Sequence, residues 1–211
     1  MENILIILFS YFCGSIPFGL IITKLFTKKD IRKTGSGNIG ATNVLRSGNK
    51  TLALLTLLLD ILKGFLPAMI TMKYFPELVH ISCLLAFLGH VFPIWLKFKG
   101  GKGVATYLGI LFALNYQLAF LFIFTWVILS LIFKYSSLSS IFSSLTVFII
   151  TFVRENALSI ISQIPGVTKN IESLINLKIS LIMFIFFILI MFTHKKNIYN
   201  LKNNSEPKIK I

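Results

Sequence analysis

Apolar runs of a length suited to crossing a lipid bilayer recur along this chain. We place them at residues 4–23, 51–72, 78–96, 104–115, 117–133, 138–153 and 177–193. A helix needs about 20 apolar residues to cross a hydrocarbon core of roughly 30 Å, and it satisfies its own backbone polar groups there. A mean hydropathy of +0.84 excludes an ordinary soluble domain. The sequence therefore predicts an all-α integral membrane protein, a single domain over residues 1–211 with about seven transmembrane helices.

The distribution of positive charge predicts the orientation of these helices. Of the 21 Lys and Arg residues, 16 lie in the connecting pieces 24–50, 97–103, 134–137 and 194–211, which all fall on one face if seven segments cross the membrane. The positive-inside rule then places the N-terminus outside and the C-terminus in the cytoplasm. The net charge of +14 is explained by this bias, so it does not indicate a nucleic-acid partner.

Two parts of the chain leave the architecture open. Segment 104–115 is short for a crossing, about 16 Å at 1.5 Å per residue, so a tilted or re-entrant helix is the alternative. Residues 202–211 form a polar C-terminal tail that we expect not to pack deeply.

The first polar cluster is TGSGNIGATNVLR, residues 34–46, between the first two apolar segments. Its three glycines can turn backbone N–H groups toward one ligand. Ser36, Thr42 and Asn43 add polar side chains, and Arg46 adds a cationic fork. This combination suits a phosphate group. A glycine-rich surface turn beside a positive-inside arginine explains the segment about equally well.

The second cluster is FKGGKGVAT, residues 98–106, in which glycines surround Lys102. The apolar run that follows would begin a helix there, and a helix N-terminus with exposed amides and a lysine forms an anion site. The spacing is not that of a P-loop. A flexible connector with positive-inside lysines explains the charge but not the glycines.

The third cluster is THKKNIYN, residues 193–200, where the last apolar segment ends. His194 and Asn197 are three residues apart, so on a helix they face the same way. A histidine can bind a phosphate or move a proton near neutral pH. A membrane-edge histidine beside anchoring lysines is the simpler interpretation of this cluster alone. A short polar segment, KYSSLSS at residues 134–140, lies on the same predicted face.

Ionisable residues also occur within the apolar segments. Asp60 and Lys63 are spaced i, i+3, so they can pair and reduce the cost of burying either charge. A functional and a purely structural role are equally open for this pair. His90 is a weaker site candidate near the predicted inner end of the third segment. Cys13 and Cys83 lack metal-ligand spacing, which favours a packing role.

Taken together, these segments resemble the bacterial acyl-phosphate:glycerol-3-phosphate acyltransferases, the PlsY family. The resemblance covers nearly the whole chain in order, through GSIPFG, DIRKTGSGNIGATNVLR, LLLDILKGFLP, GHVFPIWLKFKGGKGVAT, KYSSLSS and HKKNIYNLKNNSEPKI. The family's last motif is roughly H-x-x-N-I-x-R-L-x-x-G-x-E. Here His194, Asn197, Ile198, Leu201 and Glu206 match, whereas Asn200 replaces the arginine and Asn204 the glycine. Lys134 replaces the family's arginine before the serine motif, which keeps the charge but loses the planar fork.

The resemblance implies transfer of a fatty acyl group from acyl phosphate to the sn-1 hydroxyl of glycerol 3-phosphate. The products would be lysophosphatidic acid and phosphate, in the first acylation step of bacterial phospholipid synthesis. It implies a multi-pass protein of the bacterial plasma membrane with a cytoplasmic active site, no cofactor or metal, and no obligate protein partner. The implied catalytic residues are Ser36, Lys102, His194 and Asn197, and the implied substrate-binding residues are Arg46, Thr42, Asn43, Gly101 and Ser137.

The general base stays open at this stage, because His194 or an oxygen of the acyl phosphate can take the hydroxyl proton. A transporter or channel for phosphorylated metabolites is the alternative function, which Asp60 and Lys63 would suit. Such proteins often show paired repeats with broken helices, and no repeat is evident in this sequence. A purely structural membrane subunit leaves the clustered glycines unexplained.

Overall fold

The structure is a computed structural model that describes residues 2–161 and 179–209. Within these residues the chain forms ten α-helices, and three of the connectors between them contain a single 3-10 turn. The helices are α1 (Glu2–Ser15), α2 (Phe18–Thr27), α3 (Ala41–Arg46), α4 (Lys50–Tyr74), α5 (Val79–Val91), α6 (Val104–Leu114), α7 (Tyr116–Phe133), α8 (Ser136–Ile161), α9 (Ser180–Thr193) and α10 (Lys195–Lys202).

Each predicted apolar segment is mainly helical where it is described, so the all-α prediction is confirmed. Four stretches are long and apolar enough to cross a membrane: Lys50–Tyr74, Pro76–Leu96, Tyr116–Phe133 and Ser136–Ile161. Two bent helix pairs raise the number to six if each is one span, and α6 is a shorter apolar helix. The count of seven crossings and the orientation of the termini stay predictions.

The first apolar segment differs from its prediction as one continuous crossing. It divides into α1 and α2, which are bent by 41°. Pro17 lies at the break, where its missing N–H and its ring disfavour a continuous helix. The backbone N–H of Phe18 donates to Ile16 O at 3.1 Å, so α2 restarts immediately after the break.

The chain divides into two compact units, Met1–Phe120 and Leu121–Ile211. In the first unit, glycines allow helices to pack with their backbones in close contact. A Cβ on Gly14 of α1 would lie 2.0 Å from Ala86 O of α5, and a Cβ on Gly109 of α6 would lie 1.9 Å from Ile61 O of α4. Small residues at helix interfaces are typical of membrane bundles, because dispersion contacts rather than burial from water hold the helices together.

In the second unit, α8 packs against α9. The Phe148 and Phe184 rings lie 5.1 Å apart between centroids. The Glu155 carboxylate of α8 accepts from the backbone N–H groups of Ile179 and Ser180, at 2.7 and 2.9 Å, and so satisfies amides at the start of α9. The prediction of a single domain over 1–211 stays a prediction.

Candidate functional site

The loop over residues 34–46 is organised by the Asn43 side chain. Asn43 is 1% exposed, and its Oδ1 accepts from Ser36 N at 2.8 Å. Its Nδ2 lies 3.1, 3.0 and 2.7 Å from the carbonyl oxygens of Ile31, Thr34 and Asn38. Both ends of this buried amide are therefore engaged by the loop backbone, which fixes the loop next to α3.

Three other predicted site residues belong to this same segment. Ser36, Thr42 and Arg46 are half-buried. Thr42 and Arg46 are four residues apart on α3, so they point to the same side. A Cβ on Gly35 would lie 3.8 Å from Arg46 Cβ, which places the Gly35–Ser36 turn beside the arginine. The loop thus places the Gly35–Ser36 turn next to the base of the Arg46 side chain.

The expected role of the glycine amides is wrong in part of this loop. The N–H of Gly37 donates to Thr34 O at 3.0 Å, and that of Ser36 donates to Asn43. Gly35 and Gly37 have φ of +56° and +73°, a backbone conformation that favours glycine. These two glycines therefore close the turn, and the side chains beside them are left as the groups that would bind a phosphate.

An ion pair lies just before this loop. Arg32 donates to the Asp30 carboxylate from Nε at 2.9 Å and from Nη2 at 2.6 Å, and Arg32 N donates to Asp30 Oδ1 at 3.0 Å. The Arg32 guanidinium holds the pKa of Asp30 well below its usual range. Asp30 is therefore a carboxylate near neutral pH, and it neutralises one cation next to the loop.

The glycine connector before α6 packs directly on α5. The N–H of Gly100 donates to Val91 O at 3.0 Å, and that of Gly101 donates to His90 O at 3.1 Å. A Cβ on Gly100 would lie 2.2 Å from His90 O, and one on Gly101 would lie 2.1 Å from His90 Nε2. The expectation that these two glycines expose their amides is therefore wrong, because close packing accounts for them.

Lys102 follows these glycines immediately. Its side chain is half-buried, whereas Lys97 and Lys99 are exposed. Gly103, with φ +80°, then begins α6, and the first backbone bond of that helix runs from Tyr107 N to Gly103 O at 2.7 Å. Lys102 therefore lies at a helix N-terminus, as predicted, where the helix dipole favours anions.

The predicted pairing of Asp60 and Lys63 is confirmed. Lys63 Nζ lies 2.8 Å from Asp60 Oδ1, and each side chain is 2% exposed. His90 joins them, since its Nδ1 lies 3.8 Å from the same carboxylate oxygen. The sequence indicated the pair from its helical spacing, but the contact with His90 depends on the packing of α5 against α4.

In the second unit, His194 lies between α9 and α10, which are bent by 59°. It is 2% exposed, and its Nδ1 lies 2.8 Å from Ile190 O. A carbonyl only accepts, so Nδ1 carries the proton in the neutral ring and Nε2 carries the lone pair. This tautomer gives the imidazole an acceptor that suits a hydroxyl group.

Glu206 connects two other predicted residues of this unit. Its Oε1 accepts from Ser137 Oγ at 2.9 Å and from Asn197 Nδ2 at 2.7 Å, and Asn200 Nδ2 lies 3.4 Å from its Oε2. Glu206 is 8% exposed. The expectation that the tail does not pack deeply is therefore wrong at this residue. Its match to the last family motif was the sequence signal for this role.

Several known proteins are similar to this chain over all or nearly all of its length. The family model "Glycerol-3-phosphate acyltransferase" matches residues 4–204. Relatives of that name occur in Pelagibacter ubique (52% identical, 100% of both chains) and Wolbachia pipientis (45%, 99% of both). Crystal structures of PlsY (YgiH), an integral membrane glycerol 3-phosphate acyltransferase, are similar in their glycerol 3-phosphate and lysophosphatidic acid forms. Their TM-scores are 0.85 and 0.83 at 34% and 33% identity, covering 100% of this chain and 96% of each.

Proposed function

Since the chain belongs to the glycerol-3-phosphate acyltransferase family, we propose that it uses acyl phosphate to acylate the sn-1 hydroxyl of glycerol 3-phosphate. The products are lysophosphatidic acid and inorganic phosphate. One observation carries the proposal: the family match runs from residue 4 to 204 and so includes every predicted site residue. We further propose that the protein lies in the bacterial plasma membrane with its active site on the cytoplasmic face.

The reaction needs no enzyme nucleophile, because acyl phosphate is a mixed anhydride. The sn-1 hydroxyl oxygen attacks the acyl carbonyl carbon, an ester C–O bond forms, and the C–O bond to the phosphate breaks. Holding the hydroxyl in line with the carbonyl can lower the activation free energy by several kcal/mol, on the order of the 7–11 kcal/mol that well-oriented intramolecular reactions gain. The hydroxyl proton passes either to His194 Nε2 or to a phosphate oxygen of the donor.

In the first unit we assign phosphate binding to the two cations. Arg46 offers a planar fork that matches phosphate oxygens, and Lys102 offers a compact charge at the start of α6. Ser36, in the turn beside Arg46, would donate its hydroxyl to the glycerol phosphate. Thr42, on the same side of α3 as Arg46, would contact the acyl phosphate.

Two residues of the first unit receive a narrower role. The Asn43 amide is engaged by the loop backbone, so we assign it the positioning of Ser36. Gly101 uses its N–H for His90 O, so a contact with acyl phosphate would have to come from another of its atoms. We retain Gly101 as a site residue because a larger residue would displace the connector that carries Lys102.

In the second unit we assign the acceptor role to His194, whose tautomer leaves Nε2 with the lone pair. Asn197 would bind the glycerol phosphate, oriented by its bond to Glu206. Ser137 would contact the acyl phosphate, and the same carboxylate holds it. Glu206 is thus a positioning residue for both.

A donor-specific assay tests the proposal. The full chain, purified in detergent, is supplied with glycerol 3-phosphate and either palmitoyl phosphate, palmitoyl-CoA or palmitoyl-acyl carrier protein. We expect lysophosphatidic acid acylated at sn-1 to form only when palmitoyl phosphate is the donor. Turnover only with a thioester would reject the acyl-phosphate donor. No turnover with any donor, together with flux of glycerol 3-phosphate into liposomes, would favour the transporter, which the broken first segment would also suit.

A further inference from the structure

A cluster of three buried ionisable side chains, none of which has been assigned to substrate, lies inside the first unit. Asp60 and Lys63 are each 2% exposed and His90 is 3% exposed. Removing one member of a buried ion pair costs about 3–5 kcal/mol, whereas replacing both by apolar groups is often neutral or stabilising. Stability alone therefore does not explain why α4 carries this pair, and the groups that the cluster contacts indicate what it does.

One arm of the cluster reaches the break between α1 and α2. Lys63 Nζ donates to Ile16 O at 2.7 Å and lies 5.7 Å from the centre of the Phe18 ring. Ile16 and Phe18 flank Pro17, so the ammonium group holds the chain where its direction changes by 41°.

The helix that follows this break packs on the first loop. A Cβ on Gly19 of α2 would lie 1.9 Å from Ile39 O and 3.0 Å from Thr56 Cγ2 of α4. The backbone of α2 therefore touches the backbone of the segment that carries Ser36 and Arg46. A change in the angle of the break would move α2 and shift this loop with it.

The other arm of the cluster reaches the glycine connector. His90 Nδ1 lies 3.8 Å from Asp60 Oδ1, which is within ion-pair range but longer than a hydrogen bond. Nε2, on the other side of the ring, faces Gly101, where a Cβ would lie only 2.1 Å away. His90 O also accepts from Gly101 N. The ring is therefore a spacer between the Asp60 carboxylate and the residue that precedes Lys102.

We propose that Asp60, Lys63 and His90 form a positioning cluster that sets the loop of Ser36 and Arg46 and the connector of Lys102 relative to one another. Both segments belong to the first unit. His90 lies directly against the connector, whereas Lys63 reaches the loop indirectly, through the break at Pro17 and the contact of α2 with Ile39. The cluster does not touch substrate. It holds the two phosphate-binding cations at a fixed separation, and a displacement of about 1 Å can cost on the order of a hundredfold in rate.

The decisive variant is the double substitution Asp60→Asn with Lys63→Met, in the full chain purified in detergent. It leaves no uncompensated charge, so we expect the thermal midpoint to stay within about 5 °C of the wild type. The contact with Ile16 O is lost, so we expect kcat/KM for glycerol 3-phosphate to fall at least about thirtyfold, with a raised KM. If the cluster only stabilised the fold, a variant with an unchanged thermal midpoint would keep its kcat/KM. Wild-type kinetics in the double variant would overturn the proposal.

Hydrogen exchange provides a readout that does not need turnover. The amides of Gly100 and Gly101 are bonded to α5 in the wild type. We expect peptides covering 97–103 and 34–46 to exchange at least about tenfold faster in the double variant. Unchanged exchange in both peptides would overturn the proposal. If the double variant does not fold, His90→Asn is tested in its place. This variant removes the ring edge that lies against Gly101, so it should speed hydrogen exchange in the peptide covering 97–103, and unchanged exchange would overturn the proposal.

A second buried polar cluster of the same unit supplies the matched control. Ser82 Oγ lies 2.8 Å from Ser10 Oγ and accepts from Thr71 Oγ1 at 2.9 Å. We expect Ser82→Ala to lower the thermal midpoint while changing kcat/KM by less than about threefold. An equal kinetic loss in Ser82→Ala would mean that general loosening explains the effect. The inference rests on the proposed function, but if palmitoyl phosphate is no substrate for the wild type, that function fails and hydrogen exchange still tests the cluster.

Discussion

Lys102 is distinguished from the two lysines before it by its surroundings rather than by its charge. It is half-buried at the start of α6, whereas Lys97 and Lys99 are exposed. We predict that Lys102→Ala lowers kcat/KM by at least about a hundredfold, or ~2.7 kcal/mol of transition-state stabilisation. Lys97→Ala and Lys99→Ala should change it by less than about tenfold. Steady-state kinetics with palmitoyl phosphate and glycerol 3-phosphate provide the measurement.

Membrane yield and thermal midpoint serve as the control for these variants. Both should stay close to the wild type, because the remaining basic residues still set the orientation. Equal and modest losses in all three variants would show that the connector supplies only diffuse positive charge. The role of Lys102 in binding phosphate would then be withdrawn.

For individual residues, the sequence predicts those contacts that follow from the spacing of residues along one helix. The pairing of Asp60 with Lys63 follows from helical spacing, and it is observed. The contact of Ser137 with Glu206 joins residues 69 positions apart, so no local periodicity indicates it. Near Lys102, the N–H groups of Gly100 and Gly101 bond to carbonyl oxygens of α5, whereas the sequence predicts that they face a ligand. A sequence shows that glycine is needed, but not whether a ligand or a neighbouring helix makes it necessary.

Among the elements, the C-terminal tail is the one whose role differs most from expectation. Its Glu206 carboxylate accepts from Ser137 and Asn197, which belong to α8 and α10. The backbone N–H of Ile209 also donates to Lys134 O at 2.7 Å. The tail therefore joins the start of α8 to α10 near two predicted site residues.

We predict that Glu206→Ala lowers the thermal midpoint by at least about 5 °C, because it leaves two buried donors unsatisfied at about 1–3 kcal/mol each. Activity should fall with it, since Asn197 loses its orientation. Glu206→Gln keeps an acceptor oxygen and should lie between Ala and the wild type. Differential scanning fluorimetry and the acyltransfer assay provide the two readouts.

Ser205→Ala is the matched control for this element. Ser205 is exposed, and its Oγ makes only a 3.3 Å contact with Asn200 O. Its removal should change neither readout measurably. A thermal midpoint for Glu206→Ala equal to that of Ser205→Ala would contradict the role given to the tail.

The boundaries of α4 and α7 follow from apolar length, since both helices begin and end within two residues of their predicted segments. The end of α8 does not, because this helix continues to Ile161, beyond its predicted segment 138–153. The break in the first segment was missed, although Pro17 marks it. Proline is tolerated within membrane helices, as Pro67 is inside α4. Composition does not show whether a proline breaks a membrane helix, as at Pro17, or is accommodated within it, as at Pro67. At Pro17, the contact of Lys63 with Ile16 O contributes to the difference.

For the whole molecule, the orientation in the membrane is the prediction with the widest consequence. In a background with Cys13→Ala and Cys83→Ala, single cysteines replace Glu77, Lys99 and Lys208, all of which are exposed. In intact cells an impermeant maleimide should label the cysteine at position 77 and leave those at 99 and 208 unlabelled. All three should react after permeabilisation.

The charge bias supports this expectation, because basic residues near helix ends resist translocation. Labelling at position 208 in intact cells would contradict the cytoplasmic C-terminus, and with it seven crossings from an external N-terminus. Orientation can be predicted from sequence because it depends on local charge. The packing of the bundle cannot, because it depends on contacts between residues far apart in the chain, such as Gly14 with Ala86.

As the predicted fourth crossing, α6 would couple the protein to the thickness of its membrane through its length. Its 11 residues extend about 16 Å, roughly half of a hydrocarbon core. Either one end of α6 lies within the depth of the lipid tails, or the bilayer thins around it, at a cost of fractions of a kcal/mol per Å of mismatch. Lys102 lies directly before α6, so in such a crossing lipid chain length would act on the same connector that holds this lysine.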